Sequence, residues 1–212
     1  MKMRSTKRRN LLLMLVGFSM IVCAFILVHH NLNEAANAAI ASQAAVIQLK
    51  SAPSYDEQPT QTPAPIAEEQ PDLSNQKMPV KIIDGEEYIG ILNIPALDLS
   101  LPVISQWNLP ALKKAPCRYE GSVYTGDLIL CAHNYDQHFG RLQQVKAGDR
   151  IEFEDMNGNL FIYQAVQFEQ LGKKQVNEMH QGDWDLTLFT CVKGGQKRHT
   201  VRCSLVDAIE AN

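Results

Sequence analysis

All ten prolines of this chain fall before residue 117, and their placement separates a stretch that cannot fold from one that can hold a sheet. Six of them, at 53, 59, 63, 65, 71 and 79, lie among Gln, Thr, Glu and Ser between residues 51 and 79. Proline removes a backbone donor and fixes φ, and the polar residues around it bury nothing, so this stretch is an extended spacer. At about 3.1 Å per residue its reach approaches about 90 Å. Four more prolines, at 95, 102, 110 and 116, punctuate the next segment, and residues 117–212 hold none.

In that proline-free stretch the pattern is strand-like. Ile151-Glu-Phe-Glu154 and Leu160-Phe-Ile-Tyr163 flank Asp155-Met-Asn-Gly-Asn159, a hairpin signal. Leu186, Leu188 and Thr190 alternate with Thr187, Phe189 and Cys191. Val201, Cys203 and Leu205 alternate with Arg198, Thr200, Arg202 and Ser204, so Cys203 shares an apolar face and reads as a core thiol. Only 108–115, 139–146 and 173–180 look helical. Many short strands with few helices predict a mainly β domain, a small closed barrel or sandwich.

The amino-terminal part obeys different rules. Residues 1–10 carry Lys2, Arg4, Lys7, Arg8 and Arg9 and no acid. That leaves 15 bases against 23 acids, a net of −8, in the rest of the chain. Such a balance offers no basic face, and no nucleic-acid partner is expected. Residues 11–28 hold no charge, and at about 1.5 Å per residue they span roughly 27 Å of bilayer. The bases in front of them predict a single-pass cell-membrane protein, with a cytoplasmic tail at 1–10, a lipid-embedded anchor at 11–30 and the remainder extracellular. Ala36-Asn-Ala38 has the small residues of a signal cleavage site, but cleavable apolar cores run about 7–15 residues, and this one is longer. Residues 33–50, rich in Ala, Gln and Ile, predict a helical stalk. Stalk and linker together make up 31–79, and the folded domain makes up 80–212.

Three residue types at strand ends then point to chemistry. Cys191 closes the run Asp185-Leu-Thr-Leu-Phe-Thr-Cys191, and Arg198 follows across a Gly194-Gly195 turn. Upstream, the apolar run Leu128-Ile-Leu-Cys-Ala132 ends on His133. A thiol, an imidazole and a guanidinium suit acyl transfer through a thioester: one attacks a carbonyl, one moves protons, one holds the oxyanion. The order His, Cys, Arg does not fit papain-like enzymes, which place the Cys first. If Leu186 and Leu188 fill a barrel, Cys191 looks outward from it. His138 and His180 lie in polar loops and read as solvated surface residues; His199 points away from Arg198 along its strand. Arg198 and Arg202, four residues apart, share a face, so alternation cannot separate them. Cys131 shares a face with His133, about 7 Å away by strand rise, as a spectator, a redox partner of Cys191, or a sign of a wider cleft. The four cysteines beyond the anchor also allow two disulfides, although a domain this size can bury enough without them.

Thr187-Leu-Phe-Thr-Cys191 resembles the Thr-Leu-x-Thr-Cys signature of sortases, the membrane-anchored cysteine transpeptidases of Gram-positive surfaces. The Ala132-His133 strand end is similar to their catalytic histidine site, and Lys197-Arg198 to the basic-Arg pair that opens their last strand. Ile94-Pro95, Leu101-Pro102-Val103, and Phe139-Gly-Arg-Leu142 leading into Gly148-Asp149-Arg-Ile151 extend the resemblance from residue 80 to the C-terminus. Cys131 departs from it, since a small residue is expected there.

The resemblance implies a closed eight-stranded β-barrel with a few short helices, behind a transmembrane helix and a Pro-rich linker. It implies Cys191 as nucleophile, His133 as acid–base group and Arg198 as oxyanion donor; Thr190, directly before Cys191, is expected to help shape the oxyanion and substrate site. The implied partners are surface proteins with a C-terminal Leu-Pro-x-Thr-Gly-like sorting signal, and an amine acceptor on a wall precursor or a pilin. No metal and no cofactor is required by this chemistry. Two rivals are an L,D-transpeptidase-like wall enzyme and a non-catalytic, disulfide-stapled surface binding domain. Phe189-Thr-Cys191-Val-Lys departs from the Ser-x-Gly-Cys-Arg cluster of the first.

Overall fold

The computed structural model describes residues 2–51, 77–192 and 194–211. Most of the proline-rich tether expected at 51–79 therefore lies outside the described residues. The chain divides into two compact units, Met1–Asn37 and Ala38–Asn212.

Helix α1, Lys2–Ser51, supplies the first unit and opens the second. Within Leu11–Ser51 the most apolar eighteen residues reach a mean hydropathy of 3.0, and none of that window is buried. This helix is long and apolar enough to cross a membrane. From residue 38 onward its character changes. Ala38, Ser42, Ala45 and Leu49 form a buried stripe at helical spacing. Ala45 and Leu49 pack with Tyr88, Ile104, Ala111 and Ala115 of the second unit.

The second unit is a ring of strands. Its elements are β1 (Lys81–Ile83), β2 (Glu86–Ile94), β3 (Leu99–Ile104), β4 (Cys117–Glu120), β5 (Leu128–Ala132), β6 (Arg150–Asp155), β7 (Leu160–Gly172), β8 (Leu186–Cys191) and β9 (Lys197–Ile209). The order is β1-β2-β3-β4-β5-β8-β9-β7-β6, and a β2–β6 pairing closes it. Eight strands, β2 to β9, thus form the closed ring, and β1 is a short hairpin partner on β2. β3–β4 and β5–β8 are parallel; the other pairs are antiparallel. Closure demands a glycine: a Cβ at Gly90 would lie 2.4 Å from Phe153 Cζ and 2.5 Å from the Glu154 carbonyl oxygen.

A local signal explains the β6–β7 hairpin. The Asp155 carboxylate accepts hydrogen bonds from the Asn157 and Asn159 amides and from the Tyr124 hydroxyl, which fixes the β6–β7 turn. Beyond α1, the helices among the described residues are single turns: α2 (Leu109–Leu112), capped by the Asn108 side chain, and α3 (Val176–Met179), with 3-10 turns at Pro95–Leu97 and Leu142–Gln144.

Alternation sorts the strands into two apolar layers. Leu128, Leu130, Leu186, Leu188, Val201 and Cys203 fill the inside of the ring. Ile129, Cys131 and Phe189 form an outer layer. Leu205 departs from its expected place with Val201 and Cys203 and is 42% exposed. The reason is that β8 begins at Leu186, opposite Cys203, so nothing pairs with β9 beyond that point on this edge.

Candidate active site

Cys191 is the last residue of β8 and its thiol side is exposed. In the antiparallel β8–β9 pair it stands directly opposite Arg198. The turn between them carries Gly194 at φ +90° and Gly195 at φ +66°, backbone that glycine adopts without strain. The Val192 amide donates to the Lys197 carbonyl at 2.9 Å and closes the hairpin. Arg198 is half-buried, and its guanidinium carbon sits 5.4 Å from the Phe189 ring centroid. Phe189 belongs to the outer face, so this cation–π contact holds the guanidinium on the side of the ring where Cys191 opens.

His133 reaches the same place from the other neighbour of β8. The parallel β5–β8 register runs Cys131↔Phe189 and Ala132↔Thr190. β5 ends at Ala132, and continuing its register by one residue on each strand leads to His133 and Cys191. Cys191 thus faces Arg198 on one side, while on the other β5 ends one residue before His133, which precedes Cys191 by fifty-eight residues. Thr190 lies inside this arrangement and is buried, its hydroxyl donating to the Ala132 carbonyl at 2.9 Å. It ties together the two strand ends that carry His133 and Cys191.

The remaining candidates separate by environment. Arg202 is 1% exposed, with Nη1 donating to the Met179 carbonyl (2.7 Å) and Thr187 Oγ1 (3.0 Å). Its Nη2 donates to the Glu178 carbonyl at 2.6 Å and lies 3.4 Å from the Glu169 carboxylate. This guanidinium is committed to holding the α3 turn. His180 stands 3.5 Å from the Glu120 carboxylate and beside Tyr119. His199, opposite Thr190, has a buried Nε2 and a pKa lowered by burial.

His138 corrects the sequence expectation. It is fully buried rather than solvated, and burial, followed by the nearby His133 charge, lowers its pKa to about 4. Polarity of the surrounding loop suggested a surface position; the cover comes from α1, ninety-six residues away in sequence.

All five cysteines are unpaired. Cys203 is held up at about 12 by burial in the barrel. Cys131 is likewise raised to about 12, chiefly by burial; the Arg198 charge opposes the rise and Cys191 adds to it. Cys117, opposite Cys131 on β4, is raised by burial as well. These three thiols stay protonated at neutral pH, whereas Cys191 alone of the barrel cysteines meets solvent.

An aromatic line that sequence reasoning missed leads to the thiol. Trp107 stacks on Tyr119 at 5.8 Å, Tyr119 meets Phe189 edge-on at 5.4 Å, and Phe189 carries Arg198. Clefts of about 370 Å³ beside Trp107 and about 130 Å³ beside His180 and Trp184 flank it. The alternation that turns Leu188 inward turns Phe189 outward, and an outward Phe two residues before the exposed Cys191 was the readable sign.

Comparison with known proteins agrees with this fold. The Sortase domain family matches residues 92–206. Sortase A of Bacillus anthracis is 32% identical over 147 residues, covering 65% of this chain and 68% of that protein. Among solved structures, sortase A from Corynebacterium diphtheriae aligns with a TM-score of 0.53 at 21% identity, over 57% of this chain and 62% of its own. Listeria monocytogenes sortase A aligns with a TM-score of 0.53 at 22% identity, over 59% and 91%. Sortase C1 of GBS pilus island 1 aligns with a TM-score of 0.52 at 23% identity, over 59% and 67%. The solved structures share the fold, and the domain match with the Bacillus relative carries the kinship: the chain belongs to the sortase family of cysteine transpeptidases.

Proposed function

We propose that this chain is a membrane-anchored transpeptidase in which Cys191, His133 and Arg198 process a sorting motif of the Leu-Pro-x-Thr-Gly kind. The observation that carries the reading is the strand register, in which Arg198 stands opposite Cys191 and β5 ends beside Thr190, one residue before His133. The Cys191 thiolate attacks the motif's carbonyl carbon, and the Arg198 guanidinium holds the oxygen as it becomes an oxyanion. Collapse of the tetrahedral species breaks the C–N bond, and the His133 imidazolium gives its proton to the departing amine. This leaves a thioester on Cys191. An incoming amine, from a wall precursor or a pilin lysine, attacks the thioester while His133 accepts its proton. A new amide forms and the thiolate is regenerated. Thr190, by tying the strand ends together, sets the gap in which substrate sits.

The substrates are surface proteins with a C-terminal sorting signal. Residues 1–10 form a cytoplasmic tail, 11–30 the anchor in lipid, 31–79 the stalk and linker, and 80–212 the extracellular catalytic domain. The test is Cys191→Ala, assayed for cleavage and transfer of a sorting-motif peptide to an amine. Because Cys191 is exposed at a strand end, its truncation leaves the core untouched: activity should vanish while the thermal melt stays put. Turnover by the Ala variant would remove Cys191 from the site.

A further inference from the structure

His133 is followed by a closed segment whose two sides are held by different parts of the molecule. The Phe139 amide donates to the His133 carbonyl at 3.2 Å, and the Phe139 ring is fully buried inside the barrel. The next residue back, His138, faces the other way and is fully buried under α1. The Ser42 hydroxyl donates to the Lys114 carbonyl at 2.8 Å, and its oxygen lies 3.2 Å from His138 Nε2. Since the single Ser42 hydrogen is committed to Lys114, its oxygen accepts from His138, which fixes His138 as the Nε2–H tautomer. Its Nδ1 is buried without a hydrogen-bond partner. The ring is neutral at neutral pH, its pKa lowered by burial.

A single ring joins this contact to the acid–base group. Tyr135 lies 5.6 Å from the His138 ring and 5.1 Å from the His133 ring, centroid to centroid. The amides of His138 and Gly140 both donate to the Tyr135 carbonyl at 2.9 Å, so Tyr135 cannot move without them. Helix, Ser42, His138, Tyr135 and His133 thus form one packed series.

We propose that Ser42 and His138 are positioning residues for His133, and that the barrel-bound end of α1 is part of the catalytic apparatus as well as a stalk. The proposal rests on the reading of His133 as the acid–base group. α1 contributes no reacting atom; it holds the imidazole at the angle from which the leaving amine is protonated.

The experiment uses the full chain in detergent micelles, with Ser42→Ala, His138→Leu and His138→Gln, the last restoring an N–H at the distal position. Two quantities are read: turnover of a sorting-motif peptide, and the His133 ring Cε1–H proton resonance at one pH, assigned with His133→Ala. Release of Tyr135 removes its ring current from His133, so the resonance should move in Ser42→Ala and His138→Leu and stay in His138→Gln. In the same two variants kcat should fall about tenfold at unchanged KM, part of the about 10²-fold or more that acid–base catalysis contributes. A resonance that stays in place in folded Ser42→Ala overturns the inference, whatever the turnover. So does a shifted resonance with wild-type turnover. If His138→Leu fails to fold, Ser42→Ala decides alone. Absence of turnover in the unmodified chain, with the resonance shifting as expected, would count against the sorting-motif reading and leave the positioning role standing.

Discussion

Two arginines on one face of β9 have opposite occupations. Arg198 stands opposite Cys191 with its guanidinium over Phe189, while Arg202 is locked among the Glu178 and Met179 carbonyls, Thr187 and Glu169. Arg198→Ala is expected to lower turnover by about 10²–10³, the usual loss for an oxyanion donor, without moving the melting transition. Arg198→Lys should recover little, because an ammonium does not reproduce the planar fork. Arg202→Ala should act through stability instead. It leaves buried carbonyls and the Thr187 hydroxyl unsatisfied, at about 1–3 kcal/mol each. Urea unfolding and steady-state kinetics on both variants separate the roles. An Arg202→Ala protein that melts normally yet cannot acylate would exchange the two assignments.

At the scale of elements, the decisive join is the parallel β5–β8 pair. Its last hydrogen-bonded position is followed on one strand by His133 and on the other by Cys191, and Thr190 fastens the pair just before both. Thr190→Val keeps the shape and removes the hydroxyl, leaving the Ala132 carbonyl without that donor. The expected cost is about 1–3 kcal/mol of stability, read by urea unfolding. The two strand ends should also part, so the kcat for peptide transfer should drop by more than the unfolded fraction explains. Equal activity per folded molecule would show that the strand ends hold their spacing without this bond. The single-turn helices play a smaller part, and α3 is the one whose carbonyls Arg202 secures.

At the scale of the whole molecule, the chain joins an apolar helix long enough to cross a membrane to a closed barrel of the sortase fold. Protease added to intact protoplasts is expected to cut between residues 51 and 79 and release the domain, which should resist further digestion because its strands are paired all round the ring. A domain that stays protected until the membrane is permeabilised would reverse the topology.

Much of this was legible in the residues themselves because strand alternation is a local property with a period of two. Leu186 and Leu188 against Phe189 and Cys191 already assigned the inner and outer faces of β8, and the proline distribution already marked where regular structure is possible. The turn at residues 155–159 and the short helix near residue 109 announced themselves through Asp, Asn and Gly. What alternation cannot state is which strands become neighbours. Arg198 and Arg202 have the same parity, and only the β8–β9 register and the α3 carbonyls distinguish them. His133 joins Cys191 through a parallel pairing that spans more than fifty residues of chain. His138 looked solvated because its own loop is polar, yet its burial depends on a helix from the other end of the sequence. Local chemistry thus determined the elements, their faces and the outward position of Cys191. Non-local pairing and packing, set by ring closure and by what covers each outer face, decided which side chains meet it.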